Sequence, residues 1–485
     1  MRLYNYLENV EVKETNVTCF DVEIKGITSR SYEVKEGYIF VCIKGLKNDG
    51  HLFIESVKEN GCAFLVVEYV NEQIISCGLP YIRVENTRKV LALMCAKRYG
   101  NPERELKMVA VTGTNGKTST CRILSEIYGK SGMIVDTYGT LDGGLTTDDS
   151  EDLFKKLRHS FDNGFDTIVM EASSHALALD KLFGVEFDNS VFTNLTEEHL
   201  DFHLNMDNYA SAKAKLFSSS KLSVLNYDNS YFERVGKDAK GRKYFYSLNS
   251  TMADYYIENL KMFGAKGFEY DLVTPKCRVE IKSELCGYFN VYNTMAAATA
   301  ALCDGVDPIY VQKGINCVKN VKGRLEKVEL PNTDLNLYID YAHTPDALEK
   351  VLKCIRDFKE DNQKITVLFG CGGDRDKTKR SVMGKIASKL ADFTVITSDN
   401  SRSEDPICII KDILKGIDKE RPYKVIENRK EAIEYVIMNS CSDDIILLAG
   451  KGHEDYEIDL SGKRYFSEIE IAVNAAGKRF KKNDY

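Results

Sequence analysis

A glycine-rich loop followed by a lysine and a threonine is the stretch of this sequence best suited to chemistry. The apolar run at residues 108–111 predicts a buried strand, GTNGKT follows at 113–118, and apolar residues then recur at helical spacing up to Gly129. In such a loop the backbone N–H groups and the helix N-terminus face a phosphate. The Lys117 ammonium adds a charge, and the Thr118 hydroxyl can hold Mg²⁺. The sequence therefore predicts a nucleotide-phosphate site.

The spacing of this loop is unusual. Two residues separate its glycines instead of the usual four, and the usual spacing would place the first glycine on Val111. A glycine turn with an unrelated lysine is the alternative interpretation. The strand before the loop and the helix after it favour a shortened phosphate-binding loop.

Polar side chains collect where two further predicted strands end. The apolar strand in residues 166–175 delivers Glu171 and His175, and the strand in residues 190–203 delivers His199. Ligands of open α/β sheets bind at the carboxyl ends of the strands. An acidic residue near phosphate oxygens is reasonable if a divalent cation lies between them, so Glu171 is a second candidate Mg²⁺ ligand. Capped or solvated loop residues are the alternative for each of these side chains taken alone.

Length and periodicity predict an α/β protein of three domains, with a small N-terminal α/β domain at 1–104, a central P-loop domain at 105–328 and a C-terminal domain at 329–485. Strands alternate with helices in the second and third regions, which predicts doubly wound sheets, the third one Rossmann-like. The segment GCGGD at 370–374 lacks the dinucleotide fingerprint, so no NAD site is expected there.

Charge, cysteine spacing and hydropathy argue against nucleic-acid-binding, disulfide-rich and membrane-spanning classes of protein. The net charge is −7 and no basic run resembles a nucleic-acid footprint, so we expect no nucleic-acid partner. The 14 cysteines sit singly, as in a reduced cytoplasmic protein, and neither a membrane span nor a signal-peptide pattern is evident. We expect a cytoplasmic monomer without membrane insertion.

Ten motifs in this order resemble the Mur ligases, and the resemblance covers nearly the whole chain. They read TGTNGKTST, MEASSHAL, VFTNLTEEHLDFH, YASAKAKLF, GYFNVYNTMAAA, GRLE, DYAHTPDAL, GCGGDRD, DNSRSEDP and GKGHEDY. The stretch GYIFVCIKGLKNDGH at 37–51 also resembles that family's UDP-binding domain. The motifs are most similar to members that add the third amino acid of the peptidoglycan peptide.

The resemblance implies a reaction, its substrates and its cofactors. ATP would phosphorylate a carboxylate of UDP-MurNAc-L-Ala-D-Glu to an acyl phosphate, and an amino acid would displace the phosphate to give an amide. Lys117 would contact the phosphates, Thr118 and Glu171 would hold Mg²⁺, His199 would support a second Mg²⁺, and Lys213 would act as a carbamate. The resemblance places these residues at the nucleotide: Gly113, Thr114, Asn115, Gly116, Lys117, Thr118, Ser119, Asn293, Arg324 and Asp340.

The resemblance also assigns the two other substrates. The UDP-linked acceptor would meet Ser29, Thr146, Thr147, Ser173 and Lys181. The added amino acid would meet Arg375, Asp399, Asn400, Ser401, Arg402, Gly450 and Glu454. A four-residue motif tracks that amino acid in the family, Asp-Asn-Pro-Arg accompanying meso-diaminopimelate; here it is DNSR at 399–402. Arg402 can clasp the distal carboxylate of meso-diaminopimelate and would repel the distal ammonium of lysine. The alternative is that Arg402 pairs with Glu404 or Asp405 at a helix start.

Departures from the family pattern concern mainly the acceptor. Thr28 replaces an Asp, Glu198 replaces an Asp, and Leu179 and Lys181 fall where a Gln and an Arg are usual. Lysine cannot reproduce the bidentate fork of arginine. Three alternatives stay open: the same reaction with L-lysine or another amino acid, a folylpolyglutamate synthetase-like ligase, and a non-catalytic paralogue that binds a UDP-peptide.

Overall fold

The protein, described by a computed structural model for residues 1–45, 48–142, 145–331 and 333–483, has three α/β domains, as predicted. Leu46 and Lys47 of the motif at 37–51 lie outside the described residues, as do Asp484 and Tyr485 of the third region. In the part of the chain that is described, no helix is long and apolar enough to cross a membrane.

The N-terminal domain is a five-stranded sheet in the order β1-β5-β4-β3-β2, parallel except for the β1–β5 pair. In this domain a 3₁₀ turn at Gly50–Phe53, capped by Asp49, precedes an α-helix of six residues, Ile54–Glu59. The strands are β1 (Glu14–Thr15), β2 (Gly26–Thr28), β3 (Tyr38–Val41), β4 (Phe64–Val67) and β5 (Tyr81–Arg83), and the helices are α1 (Leu3–Tyr6), α2 (Ile54–Glu59), α3 (Glu72–Cys77) and α4 (Thr87–Arg98).

The central domain contains a nine-stranded sheet in the order β14-β13-β12-β11-β10-β9-β6-β8-β7. Its strands are β6 (Lys107–Thr112), β7 (Val135–Tyr138), β8 (Thr167–Glu171), β9 (Phe187–Phe192), β10 (Ser220–Asn226), β11 (Arg242–Ser247), β12 (Tyr255–Met262), β13 (Phe268–Val273) and β14 (Arg278–Ser283). Its helices are α5 (Lys117–Lys130), α6 (Ser150–Asp162), α7 (Ser174–Ala178), α8 (Leu200–His203), α9 (Met206–Phe217), α10 (Phe232–Val235), α11 (Tyr288–Cys303) and α12 (Pro308–Cys317).

Strands β6 to β12 run parallel to one another, whereas β13 and β14 extend the sheet with antiparallel pairing. This antiparallel extension was not predicted from the sequence. Alternate residues of β13 and β14 are buried, a period of two that marks a half-exposed sheet. The parallel strands β6 and β8, by contrast, are apolar along their length because helices cover both faces.

The C-terminal domain has a six-stranded sheet, β15-β16-β20-β17-β18-β19, parallel except for β15 at the edge. Strand β15 lies in residues that the sequence analysis assigned to the second region, so pairing places the start of this sheet before residue 329. The strands of this sheet are β15 (Glu326–Val328), β16 (Asn336–Asp340), β17 (Ile365–Phe369), β18 (Phe393–Ile396), β19 (Tyr423–Val425) and β20 (Ile445–Ala449). A separate antiparallel pair consists of β21 (Tyr456–Asp459) and β22 (Gly462–Tyr465). The helices are α13 (Pro345–Phe358), α14 (Thr378–Leu390), α15 (Pro406–Leu414), α16 (Arg429–Asn439) and α17 (Glu468–Asn483).

Helix α13 begins where Thr344 caps it and Pro345 occupies its first turn. Leu348, Val351, Leu352 and Ile355, which recur at helical spacing in the sequence, are buried, as is Cys354. They pack on one face of the C-terminal sheet. Together the sheets bring the carboxyl ends of β6, β8 and β9 towards those of β16, β17, β18 and β20, and the polar loops follow these ends.

We expect Gly314→Ala to separate helices α12 and α5, because a Cβ atom on Gly314 would lie 2.5 Å from Ile127 Cα. The free energy of unfolding should fall by about 1–3 kcal/mol. Gly129→Ala in α5 is the control, since a Cβ atom there meets nothing within 4 Å. Denaturant unfolding followed by circular dichroism measures both variants, and equal midpoints would contradict the close helix contact.

Candidate active site

The phosphate-binding loop connects β6 to the first turn of α5. Gly113 follows the strand, and Gly116, at φ 87°, precedes the helix. A Cβ atom on Gly116 would overlap the Asn293 side chain, and one on Gly113 would overlap the Thr193 hydroxyl. Both positions therefore need glycine. The Lys117 ammonium folds back over the loop and donates to the carbonyl oxygens of Gly113 and Thr114, each at 2.9 Å.

A second lysine reaches the same loop from α9. The buried Lys213 ammonium donates to Gly113 O at 2.9 Å, the oxygen that also accepts from Lys117. Burial, with the nearby Lys117 charge, lowers the pKa of Lys213 well below its ordinary value. Two ammonium groups thus meet at one carbonyl, and the arrangement favours an uncharged amine at Lys213.

Glu171 stands at the end of β8, buried beside the start of α5. Its Oε1 accepts from the Thr118 hydroxyl and from Thr140 N, each at 2.9 Å. The Thr140 hydroxyl donates to its other oxygen at 3.1 Å. Hard oxygen donors of this kind suit Mg²⁺. No group of three His, Cys, Asp or Glu side chains that could hold a metal occurs within the described ranges. A cation here would need further oxygens, and nucleotide phosphates could supply them.

Histidines and Glu198 line the neighbouring loop after β9. His199 adopts a left-handed conformation at φ 58° before α8, and its ring centroid lies 4.8 Å from that of His175. Glu198 Oε1 lies 3.5 Å from His343 Nε2 and 3.7 Å from His199 Nε2. Burial opposes the ionisation of Glu198, but the hydrogen bond from His343 and the charge of Lys117 help to outweigh it and hold the pKa of Glu198 well below the usual range.

The other residues that the family resemblance assigns to the nucleotide lie around the start of α5. The Arg324 guanidinium donates to the Thr118 hydroxyl at 3.1 Å and lies over the Tyr341 ring. Asn293 faces Gly116 from α11. Asp340 is buried behind Arg324, where it accepts from Leu325 N and Ala342 N, and burial raises its pKa to about 6. Ser119 is buried in the first turn of α5.

The structure adds contacts that the sequence analysis did not anticipate. The Asn115 side chain donates to Asp346 at 3.0 Å, which joins the phosphate-binding loop to the first turn of α13. The Thr196 hydroxyl donates to the same carboxylate at 3.3 Å. The motif DYAHTPD contains Asp346, but its helical position alone predicts a solvated residue. Its role becomes visible only when the two sheets are in place.

The candidates for the UDP-linked acceptor divide into two groups. Thr147 donates to Glu171 O at 2.8 Å and accepts from Ser173 N at 2.9 Å, and the Thr146 hydroxyl accepts from Thr140. This first group therefore adjoins Glu171.

The second group meets the first turn of α6 instead. Ser29 donates through both its backbone N–H and its hydroxyl to Glu151 Oε1, at 2.8 and 2.6 Å. Lys181 pairs with Asp149 at 2.7 Å. These carboxylates engage the two side chains that the family resemblance assigns to the acceptor.

The DNSR loop follows β18 and packs against the loop after β20. Asn400 donates to Glu454 at 2.8 Å and accepts from the buried Lys451 ammonium at 3.0 Å. Asp399 is buried beside Gly450, where a Cβ atom would come within 2.7 Å of its carboxylate. Lys451 was not among the predicted site residues, although its position between two glycines after an apolar strand was an available signal.

Arg402 forms no ion pair with either acidic neighbour proposed for it. Its guanidinium donates to Gly373 O at 2.8 Å and to Asn400 O at 3.3 Å. Glu404 binds the buried Arg380, and Asp405 caps α15. No carboxylate of the described chain lies within ion-pair distance of Arg402, so its charge is available to a ligand. Ser401 is buried in the same loop, and Arg375 is exposed after β17.

Comparison with known proteins identifies relatives along the chain. Family models match in order: "Mur ligase family, catalytic domain" at 23–99, "Mur ligase middle domain" at 111–301 and "Mur ligase, glutamate ligase domain" at 323–452. UDP-N-acetylmuramoyl-L-alanyl-D-glutamate–2,6-diaminopimelate ligase 1 of Clostridium acetobutylicum is 43% identical over 461 residues, covering 93% of this chain and 94% of that protein. The ligase of the same name, without the numeral, from Bacillus licheniformis is 40% identical over 496 residues, covering 98% of each.

A solved structure is also similar to this chain over its full length. This structure, described as a UDP-N-acetylmuramoyl-L-alanyl-D-glutamate–2,6-diaminopimelate ligase, superimposes with a TM-score of 0.69 at 29% identity, covering 100% of this chain and 99% of that one. The match extends through all three domains.

We expect Gly116→Ala to weaken ADP binding by about tenfold or more, or ~1.4 kcal/mol. The added Cβ atom would displace Asn293, and alanine disfavours the left-handed conformation. Gly132→Ala is the control, because φ is 99° there and no atom lies within 4 Å of the added Cβ. Titration calorimetry with ADP measures both variants. Equal affinity for ADP in the wild type and the Gly116 variant would contradict this position for the nucleotide.

Proposed function

The chain belongs to the Mur ligase family, and on that premise we propose that it joins 2,6-diaminopimelate to UDP-MurNAc-L-Ala-D-Glu at the expense of ATP, in peptidoglycan synthesis. The observation that carries this proposal is the match, over at least 93% of the chain, to relatives whose names state this ligation. We further propose that the enzyme works in the cytoplasm as a monomer.

The first chemical step is transfer of the γ-phosphoryl group of ATP to the acceptor carboxylate, which gives an acyl phosphate and ADP. Both reactants are anionic, so the main task of the site is to offset charge. Lys117 and the N-terminus of α5 are positioned to do so, and Arg324 adds a cation from the C-terminal domain. The amino group of the incoming amino acid then attacks the acyl carbon, and phosphate leaves as the amide forms.

The donor set beside the loop fits Mg²⁺. We propose that Thr118 and Glu171 hold one ion together with nucleotide oxygens, and that His199 and a carbamylated Lys213 support a second. Bound Mg²⁺ would neutralise phosphate charge and hold the phosphate oxygens in place. His199 has its pKa lowered to about 4, chiefly by burial, so its imidazole is neutral at pH 7, as a metal ligand must be.

Carbamylation of Lys213 resolves the conflict between the two lysines. CO₂ adds to an uncharged amine, and burial keeps Lys213 in that form. The product is an anionic oxygen ligand next to Lys117. Without CO₂ addition this side chain could not hold a cation.

We expect Lys213→Ala to lose most ligase activity and to regain part of it with a short carboxylic acid, such as acetate, that replaces the missing anion. Lys215→Ala is the matched control, two residues further along α9, where the lysine pairs with Asp180 at the surface. Phosphate release measures both variants. Full activity of the Lys213 variant without additive would refute the carbamate.

The unpaired guanidinium of Arg402 supports diaminopimelate over lysine. Meso-diaminopimelate carries a second carboxylate where lysine has only its distal ammonium, and two parallel N–H···O bonds can bind that carboxylate. Glu454 can pair with the accompanying ammonium, and Arg375 can meet the other carboxylate. Burial raises the pKa of Glu454, and a ligand cation would favour its ionised form.

We expect Arg402→Ala to raise the KM for meso-diaminopimelate by roughly 10–100-fold, from the loss of about 1.5–3 kcal/mol in charged hydrogen bonds. The KM for ATP should not change. Arg421→Ala, an exposed arginine in the same domain, is the control. Initial rates at varied amino-acid concentration measure the effect. An unchanged KM for meso-diaminopimelate would contradict the proposal that Arg402 binds its distal carboxylate.

One assay separates the proposal from its alternatives. The purified chain is incubated with ATP, Mg²⁺, UDP-MurNAc-L-Ala-D-Glu and, in turn, meso-diaminopimelate, L-lysine and other amino acids, and the products are identified by mass. We expect product chiefly with meso-diaminopimelate. Preference for L-lysine would refute the DNSR argument, activity only on a folate acceptor would favour the other ligase class, and no product with any pair would favour a binding paralogue.

A further inference from the structure

Helix α13 lies against the central domain along most of its length. Asp346 at its start binds Asn115, and Phe358 at its end packs so closely on Gly264 that a Cβ atom there would lie 3.0 Å from the Phe358 Cβ. Cys354 lies between these contacts, facing the loop that precedes α11. The helix is therefore the part of the C-terminal domain through which a cross-link would fix the two domains together.

Cys286 of that loop and Cys354 of α13 are buried in one apolar cluster. A Cβ atom on Gly287, the next residue, would lie 2.8 Å from Cys354 Sγ, which places the Cys354 thiol against the backbone beside Cys286. Hydrogen bonding between the two thiols lowers the pKa of Cys286 and raises the pKa of Cys354. Of the two, Cys286 is therefore the thiol more readily converted to the reactive thiolate.

We propose that Cys286 and Cys354 are a redox modification site, forming a reversible disulfide that joins the central and C-terminal domains. The oxidant is a peroxide or a small disulfide. With hydrogen peroxide, the Cys286 thiolate attacks one oxygen and becomes a sulfenic acid, releasing hydroxide that is protonated to water. Cys354 then attacks that sulfur, the S–S bond forms, and a second water leaves. A dithiol reverses the reaction by exchange.

The modification would act on the nucleotide site. Cys286 O accepts from the Asn290 side chain at 2.8 Å, and Asn290 accepts from Asn293 at 2.9 Å. Asn293 in turn faces Gly116 of the phosphate-binding loop. Arg324 and Thr118, from different domains, touch directly, so a nucleotide entering between them requires the domains to separate. A disulfide at Cys286 would restrain that separation. This consequence, unlike the cross-link itself, rests on the proposed function.

The test treats the full-length protein with hydrogen peroxide, blocks free thiols with an alkylating agent and maps disulfides by mass spectrometry without reduction. We expect a cross-linked peptide containing Cys286 and Cys354, loss of most of the ATP-dependent phosphate release, and recovery of both thiols and activity with dithiothreitol. Cys354→Ser and Cys286→Ala should each abolish the cross-link and retain activity after peroxide. Cys317→Ser, at an exposed cysteine at the end of α12, should behave as the wild type.

Each outcome decides one part of the proposal. Oxidation of exposed cysteines without the Cys286–Cys354 peptide overturns the modification site. The cross-link without loss of phosphate release overturns its effect on turnover. If the reduced wild type makes no ligation product, the proposed function fails, while the peptide map still tests the disulfide. Two substitutions are used because one of them could impair folding, which thermal unfolding reveals.

Discussion

The buried ammonium of Lys213 and the half-buried ammonium of Lys117 share one carbonyl oxygen, Gly113 O, and the proposed active site depends on how their repulsion is relieved. Lys117 comes from the helix that the loop begins, and Lys213 comes from α9, so the meeting is built by tertiary packing. Two ammonium groups so close together repel each other, and burial adds to the cost at Lys213. This repulsion is the reason for the proposal that phosphates bind beside Lys117 and that CO₂ converts Lys213 to a carbamate. In that proposal, nucleotide binding and cation binding depend on charge balance at a single loop.

The second requirement is that two sheets face each other. The proposed phosphate site lies at the carboxyl ends of β6 and β8. Arg324 approaches it from beside the C-terminal sheet, where the next residue, Leu325, donates to Asp340 of β16, and the DNSR loop follows β18 of that sheet. Asn115 and Asp346 bind across the gap. The phosphate-binding loop and the Arg402 guanidinium, which no described carboxylate pairs, therefore lie in different domains. In the proposed reaction both domains contribute residues, which is why a cross-link between them would affect turnover.

Local patterns predicted the parts of this structure that depend on neighbours in the chain. The strand, glycine loop and helix around Lys117 and the apolar spacing of α13 are examples. The other features depend on contacts between segments that are distant in the sequence. The antiparallel strands β13 and β14 and the membership of β15 in the third sheet depend on pairing that no single segment specifies. Arg402 forms no ion pair with Glu404 because the Glu404 carboxylate binds Arg380, which lies 24 positions earlier in the chain. The importance of Lys451 and Asp346 likewise emerges only from contacts between distant loops.

The proposed ligation requires the acceptor carboxylate to be activated by phosphorylation, and oxygen-isotope transfer tests this step directly. UDP-MurNAc-L-Ala-D-Glu labelled with ¹⁸O in the side-chain carboxylate of its D-glutamate is turned over with ATP and meso-diaminopimelate, and the released phosphate is analysed by mass. An acyl phosphate passes one carboxylate oxygen to phosphate when the amine displaces it, so the account predicts one ¹⁸O in each phosphate released. Phosphate free of ¹⁸O, released while amide forms, would contradict it.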